Sequence, residues 1–198
     1  MVMKKDIKER ILTTAMRLFA RKGFFETTVD EICRSAKIAK GTVYLYFKDK
    51  SDIYIAILEN QLNSALKDLA LVHSKDLTNT EKLKSIANEW LTRSIEFQRL
   101  FPMVSMENIN QALKIMKGIK QRVFPIIFRI ISEISDIIKE GIENGEFKPV
   151  NPRISAVYFL NTIRAPFLVS FFAEKKAPCC DEILELFFNG LINKKECE

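Results

Sequence analysis

The residues with the clearest chemical potential lie close together, between positions 27 and 50. Their side chains are cationic, hydroxylic or phenolic: Thr28, Lys40, Thr42, Tyr44, Tyr46 and Lys50. Lysine ammonium groups neutralise phosphates, threonine hydroxyls bond phosphate oxygens or base edges, and a tyrosine ring also packs on a sugar. Gly41 has no side chain and lets the backbone approach an anionic strand. This combination favours nucleic acid binding.

A short helix is predicted to hold the first of these residues. Thr28 and Glu31 have the three-residue spacing of a capping box, in which hydroxyl and carboxylate each satisfy a backbone N–H of the other residue. In the helix that follows, Ile32, Cys33 and Ala36 fall on one side. We therefore expect that side to be buried and Thr28 to stand at the helix start.

A second short helix, over residues 39–47, is predicted to carry most of the set. Val43 and Phe47, four residues apart, form its buried stripe, so that the lysine, threonine and tyrosines point outward. About three residues separate the two helices, which is the turn length of a helix-turn-helix. The residue types alone leave two interpretations open, a DNA-reading surface and a helical hairpin with an ordinary solvated basic face.

The segments GFFETTVDEI at residues 23–32 and KGTVYLYFKDKSDI at residues 40–53 resemble the N-terminal domain of the tetracycline-repressor (TetR) family. Three features have the spacing of the family pattern: the Gly-aromatic pair before two threonines, the G-x-x-Y-x-x-F core and the lysine that follows it. The resemblance implies an all-α, dimeric bacterial or archaeal transcription regulator. Its three-helix helix-turn-helix DNA-binding domain, residues 1–50, would be joined by a long helix 4 to a helical ligand-binding and dimerisation domain, residues 51–198.

Carried over position by position, the resemblance implies the residues that touch DNA. They are Thr28, Lys40, Gly41, Thr42, Tyr44, Tyr46 and Lys50. Two positions depart from the family pattern. Lys37 stands where the turn often has glycine, and a left-handed conformation there would cost about 1 kcal/mol. Ala39 replaces the frequent Ser or Thr cap of the second helix, again at about 1 kcal/mol. Both departures bear on local stability and leave the contact residues intact.

The placement of charge agrees with a basic N-terminal domain. The chain has 198 residues, a mass of 22.9 kDa and a net charge of +6. Residues 1–54 hold 12 Lys and Arg against 7 Asp and Glu, a net charge of +5, which leaves +1 for the remainder. The excess positive charge thus lies where phosphate would have to be attracted.

The sequence offers little for catalysis or metal binding. His73 is the only histidine, and there is no G-x-S-x-G, Gly-rich phosphate loop or cluster of metal ligands, so we predict neither an enzyme nor a cofactor. We expect His73 to be structural. Cys33, Cys179, Cys180 and Cys197 show no CxxC spacing, which argues against structural zinc or a disulfide framework. Cys33 is predicted to be a core residue, and a redox role for the vicinal pair stays open.

Residues 154–173 are apolar and long enough to raise the question of a membrane span. Asn161, Arg164 and Pro166 lie at the centre of this run, and an arginine there would cost at least about 2.5 kcal/mol in lipid. We therefore expect a helix buried in protein and no membrane partner. The first ten residues show no apolar h-region, so no signal peptide is predicted and the expected location is the cytoplasm.

The remaining helices follow from periodicity and from start and stop signals. We predict a first helix at residues 5–22 that ends at Gly23, a long helix at 50–73 capped by Asp49, and a helix that starts near Thr78 or Thr80 and breaks near Pro102. The next helix, at 110–144, must bend or divide near Lys120 because of Pro125. Two more helices follow, one that starts at Asn151-Pro152 and a last one at 181–191. The last two have wide apolar faces, and the resemblance implies that they form a four-helix bundle between two subunits.

Aromatic, Met and polar side chains of the middle helices are the candidates for an effector pocket. They are Trp90, Phe97, Met106, Met116, Phe124, Phe128, Asn161, Arg164 and Phe167. The aromatic and Met side chains suit an apolar or amphipathic small molecule, while Asn161 and Arg164 could orient a polar or anionic end. The same side chains at helical spacing would equally form a plain core.

The predicted function is a repressor that binds a near-palindromic operator as a homodimer and is released by a small-molecule effector. The alternative is a helical ligand-binding or membrane-surface protein whose basic N-terminal domain docks on anionic lipid.

Overall fold

The structure, a computed structural model, describes residues 2–93, 109–173 and 180–191. Its helices are α1 (Val2–Lys22), α2 (Val29–Ala36), α3 (Lys40–Tyr46), α4 (Lys50–His73), α5 (Asn79–Arg93), α6 (Ile109–Gly118), α7 (Phe124–Glu143), α8 (Pro152–Ala173) and α9 (Cys180–Leu191). One π-helical turn, Ile119–Val123, joins α6 to α7. The predicted all-α class is confirmed.

The chain forms two compact units. The first comprises Met1–Asn63 and Glu96–Ile126, and the second comprises Ser64–Ile95 and Ile127–Glu198. These units are defined by packing, whereas the predicted boundary at residues 50 and 51 divides the chain by function. That functional boundary stays a prediction.

The core of the first unit is built on α1. Its apolar stripe includes Ile11 and Phe19, both buried, and the helix ends where predicted, at Gly23 with φ 88°. The ring of Phe24 lies 5.4 Å from that of Phe19 and 5.2 Å from that of Tyr54 in α4, measured between centroids. Burial raises the pKa of Tyr54 to about 12. This aromatic cluster fixes the loop before α2 against α1 and α4.

Helix α4 starts and ends as the sequence predicts. Asp49 caps its first turn, because the Asp49 carboxylate accepts a hydrogen bond from the Asp52 backbone N–H at 3.0 Å. Only Phe47, Lys48 and Asp49 separate the end of α3 from the start of α4. The start of α4 is therefore tied locally to the end of the helix-turn-helix.

The predicted interruption near Lys120 is confirmed and takes the form of the π-helical turn. Pro125 lacks a backbone N–H, and its ring crowds the carbonyl four residues earlier in an α-helix. The turn just before it widens, and the Phe124 N–H donates to the Ile119 carbonyl, five residues back. Regular α-helix resumes at Phe124.

Polar side chains fix the helix ends of the second unit. The backbone N–H groups of Asn79 and Thr80 both donate to the Glu146 carboxylate at 3.1 Å, at the start of α5. Thr78, one of the two predicted starts, forms a capping box with Glu81. Asn151 caps α8 as predicted, because its side-chain oxygen accepts from the Ile154 N–H at 3.0 Å.

His73 has the structural role that the sequence predicts. Its Nε2 lies 3.0 Å from a carboxylate oxygen of Glu140 on α7, and its Nδ1 lies 3.6 Å from Glu133. The hydrogen bond with His73 lowers the pKa of Glu140. These contacts link the end of α4 to α7 within the second unit.

Helices α8 and α9 pack together through aromatic rings. The Phe187 ring lies 5.2 Å from Phe159 and stacks on Tyr158 at 6.0 Å, measured between centroids. Within the described ranges, no helix combines the length and the hydropathy that crossing a membrane requires. The predicted break near Pro102 and the residue Cys179 lie outside these ranges.

Candidate nucleic-acid interface

The turn between α2 and α3 takes the left-handed conformation predicted for Lys37. Its φ and ψ are 54° and 49°, and its backbone N–H donates hydrogen bonds to the carbonyls of Cys33 and Arg34. Arg10 on α1 donates to the Ala36 carbonyl at 2.7 Å. This contact, 26 residues away in the chain, was missed in the sequence and satisfies a carbonyl at the end of α2.

The capping box predicted at the start of α2 is confirmed. The Glu31 N–H donates to the Thr28 hydroxyl at 3.2 Å, and the Thr28 N–H donates to the Glu31 carboxylate at 3.0 Å. Lys22 pairs with the same carboxylate. Hydrogen bonds from Lys22 and from the Thr28 backbone lower the pKa of Glu31 to about 2. The box holds Thr28 exposed at the first turn of α2.

The lowered pKa of Glu31 predicts an acid-sensitive cap. A carboxyl group with a folded-state pKa of about 2, against an ordinary 4.5, stabilises the fold above pH 4.5 and loses that contribution as pH falls toward 2. Glu31→Gln should therefore be less stable than the parent chain at pH 7, with a difference that shrinks between pH 5 and pH 3. Urea unfolding across that range measures it. A difference that stays constant with pH would contradict the assignment.

Helix α3 presents the outward face that the sequence predicts. Val43 and Phe47 are buried, at 1% and 3% exposure, which confirms the predicted stripe. Tyr44 is 47% exposed and no atom lies within 4 Å of the place where a Cβ on Gly41 would stand. Thr42 and Tyr46 are half-buried at the edges of this face. Ala39 makes no side-chain capping bond, as expected.

Lys40 lies at the start of α3 and pairs with a carboxylate of α2. Its ammonium is 2.7 Å from Asp30, and both side chains are more than half exposed. The hydrogen bond that the Lys40 ammonium donates to Asp30 raises the pKa of Lys40, so the side chain is cationic at neutral pH. Since solvent-exposed ion pairs exchange readily, a phosphate could replace Asp30 as its partner.

Lys50 occupies a different setting from Lys40. Its ammonium donates to the carbonyls of Phe24, Phe25 and Thr27 at 2.8, 3.0 and 2.7 Å, and it lies 4.5 Å above the centroid of the Phe24 ring. Desolvation lowers the pKa of Lys50. All three donors of the ammonium are used to hold the loop that leads to Thr28.

Three ion pairs join Asp49 and the first half of α4 to α6 and the π-helical turn within the first unit. Lys114 of α6 pairs with Asp49 at 2.5 Å. Arg122 of the π-helical turn bridges Asp52 and Glu59, each at 2.5 Å. Asp52 also accepts a hydrogen bond from the Lys48 N–H at 3.1 Å. The contacts of Lys114 and Arg122 were missed in the sequence because their partners lie more than 60 residues away.

The candidate effector residues are distributed over several elements. Met116 on α6 and Phe124 and Phe128 on α7 are 49%, 38% and 56% exposed, and Trp90 on α5 is half-buried. Asn161 on α8 is exposed, and its amide donates to the Val157 carbonyl at 2.9 Å. Outside the described side chains lie Phe97, Met106, Arg164 and Phe167.

The fold and this surface define a helix-turn-helix protein, and the comparisons with known proteins show a similarity of the same kind. Residues 11–57 match the family model described as "Bacterial regulatory proteins, tetR family". Over these residues the chain is similar to the TetR family, and relatives that it resembles are HTH-type transcriptional regulators.

The chain is similar over nearly its whole length to regulators of fatty acid metabolism. It is 24% identical to the "Fatty acid metabolism regulator protein" of Bacillus subtilis, over 93% of this chain and 95% of that protein. The fatty acid degradation regulator FadR of Bacillus halodurans has a TM-score of 0.75 at 19% identity, with 93% and 95% of the two chains covered. FadR of Bacillus subtilis in complex with stearoyl-CoA has a TM-score of 0.69 at 23% identity, with 92% and 98% covered.

Proposed function

We propose that this regulator is a repressor that binds a near-palindromic operator as a homodimer in the cytoplasm. The observation that carries the proposal is the outward face of α3, where Lys40, Gly41 and Tyr44 stand free of the core. Twofold symmetry would place two copies of α3 about 34 Å apart, in successive major grooves. Residues 1–50 would then be the DNA-binding domain and residues 51–198 the ligand-binding and dimerisation domain.

In this proposal the predicted DNA-binding residues have two roles. Lys40 and Tyr44 touch DNA directly, with Thr28, Thr42 and Tyr46 at the edges, and Gly41 allows close approach of the backbone. Lys50 supports the surface from behind, because its ammonium holds the loop before Thr28.

Dimerisation is proposed to use α8 and α9. Ile154 and Tyr158 on α8 and Leu186 on α9 are 69%, 64% and 76% exposed, although Tyr158 and Phe187 pack the two helices together. Large apolar side chains on adjacent helices of one unit favour burial against the same surface of a second copy. A four-helix bundle of two subunits would bury them.

The proposed effector is a small apolar or amphipathic molecule that binds among the middle helices. Exposed Met116, Phe124 and Phe128 give apolar contacts, and the stearoyl-CoA bound by the Bacillus subtilis relative offers an amphipathic example. Trp90, Phe97, Met106, Asn161, Arg164 and Phe167 complete the proposed set.

The ionic contacts at the start of α4 suggest how such a ligand would act on DNA binding. Lys114 and Arg122 hold Asp49 and Asp52, and these two carboxylates stand directly after the α3 recognition helix. A ligand that shifts α6 or the π-helical turn would thus change how α4 carries α3. A coupling of about 1–3 kcal/mol lowers operator occupancy five- to a hundredfold.

Fluorescence anisotropy with the DNA upstream of the chain's own gene tests the proposal. Specific binding at two salt concentrations, in the presence of competitor DNA, and its loss on adding stearoyl-CoA would support a repressor with an amphipathic effector. Retention on anionic vesicles with no specific DNA binding would instead support the membrane-surface alternative. The oligomeric state at the same protein concentration tests the dimer.

Tyr44→Ala is expected to weaken operator binding about 10- to 100-fold, because it removes an exposed aromatic contact from the centre of α3. Since Tyr44 is not part of the core stripe, the thermal midpoint and the oligomeric state should not change. Tyr44→Phe is the matched control, which keeps the ring and removes the hydroxyl. Unchanged affinity in Tyr44→Ala would mean that α3 is not the recognition helix.

A further inference from the structure

Leu45 is the most exposed large apolar side chain that the structure describes. It is 83% exposed in the last turn of α3, next to the exposed Tyr44. The helix packs on the core through Val43 and Phe47, so Leu45 adds nothing to the packing of the first unit. Because it points outward from α3, Leu45 is available for contact with whatever this helix binds.

The surroundings of Leu45 restrict what could cover it. A helical side chain lies over the turn before its own Cα, which for Leu45 is the turn that contains Gly41 and Thr42. A Cβ at Gly41 would find open space, so nothing in the described part of the chain covers the helix surface at this turn. Lys40 stands at the start of the same helix with its ammonium exposed. An apolar spot beside a cation and a hydroxyl suits DNA better than an apolar protein surface.

The major groove offers one apolar group to such a spot. Each base pair presents hydrogen-bonding groups there, and only thymine adds a methyl group, at C5. A leucine without hydrogen-bonding atoms cannot read the donors and acceptors of the other bases. The DNA feature that matches Leu45 is therefore the thymine methyl.

We propose that Leu45 is a specificity-determining residue that reads a thymine C5-methyl group in each operator half-site. The inference rests on the proposed function, since it requires α3 to lie in the major groove. It adds a base preference to the contact set that the resemblance implies, which does not include Leu45.

Thymine and uracil differ only by this methyl group, and that difference gives the test. A bound DNA fragment is first selected from a random-sequence pool with the full-length chain. Each thymine of a half-site, with its symmetry mate, is then replaced by deoxyuridine. At one position, loss of the methyl group should lower the affinity about fourfold per half-site, which corresponds to the burial of one methyl group. Replacement in both half-sites should lower it about fifteenfold. Uracil at the other thymines serves as the internal control.

Leu45→Ala completes the test. The variant should fold like the parent chain because the leucine is exposed, and it should bind the thymine and uracil fragments equally well. If no thymine is sensitive in the parent chain, or if Leu45→Ala keeps the sensitivity, the inference is overturned while the proposed function stands. If the parent chain selects no fragment at all, the proposed function fails and the inference fails with it.

Discussion

Replacing Lys50 with Met is expected to lower the free energy of unfolding by about 2–4 kcal/mol. The Lys50 ammonium donates to three backbone carbonyls of the loop before α2, at 2.7 to 3.0 Å. Methionine has a similar length and can still contact the Phe24 ring, but it donates no hydrogen bond. Three carbonyls that faced a cation would lose their partner, and charged hydrogen bonds contribute about 1.5–3 kcal/mol each when little water can replace them. The expected loss lies below the sum of three such bonds because Lys50 is only half-buried and water can replace part of each contact.

The same substitution separates two roles for Lys50. A lysine that only neutralises a phosphate would weaken DNA binding and reduce the salt dependence when it is lost, with no change in stability. Loss of a lysine that holds the loop would lower the stability of the fold. It would also weaken DNA binding indirectly, through Thr28, and the salt dependence of binding would be retained. Urea unfolding and anisotropy titrations at several salt concentrations measure both quantities on one variant.

Lys48→Met is the matched control. Lys48 is exposed, lies two residues before Lys50 and carries the same charge, so its loss tests the effect of net charge alone. We expect its unfolding free energy to stay within about 0.5 kcal/mol of the parent chain. Equal stability of the two variants would show that the carbonyl contacts of Lys50 contribute nothing to the fold.

The contrast between Lys40 and Lys50 shows what the sequence could and could not predict. Both lysines fit a basic DNA-binding surface by type and spacing, and the motif places both at helix starts. Only the folded chain brings Lys50 beneath a loop 23 to 26 residues earlier. Sequence patterns predict the contacts of a residue with neighbours within about one helical turn. They do not predict the contacts of a long side chain with a segment that is distant in the sequence.

Signals that lie within a few residues were predicted well for the same reason. The Thr28 capping box, the left-handed Lys37, the Asp49 cap and the interruption before Pro125 each depend on neighbours in the chain. The contacts of Arg122 with Asp52 and Glu59 span more than 60 residues and left no local pattern. Leu45 was visible in the sequence, but without the exposed fraction of its side chain it could not be distinguished from a core leucine.

Gly141→Ala is expected to destabilise the second unit by about 2 kcal/mol, although alanine is the better helix former. Gly141 lies inside α7, where exchange of glycine for alanine would by itself add about 1 kcal/mol of stability. A Cβ at this position would stand well under 3.0 Å from Cδ2 and Cε2 of Phe147, and 3.1 Å from its Cγ. The overlap costs more than the helix gains if the ring cannot move.

The surroundings of Phe147 prevent free movement of its ring. Phe147 is only 2% exposed, and its backbone N–H donates to the Gly141 carbonyl at 3.0 Å, so both ends of the contact are fixed. Added atoms in a well-packed core cost about 1–3 kcal/mol, and a rigid aromatic partner places this site at the upper end. Gly190→Ala in α9 is the matched control, since a Cβ there would meet no atom within 4 Å. It should be neutral or stabilising.

A double substitution identifies the cause of the loss in Gly141→Ala. Phe147→Ala removes the ring carbons at the point of overlap and should destabilise the protein when made alone, because it leaves a cavity. Made together with Gly141→Ala, it should cost less than the sum of the two single changes, by at least about 1 kcal/mol, since the new methyl group then has room. Additive losses in urea unfolding would mean that Gly141 is required for a reason other than the approach of the Phe147 ring.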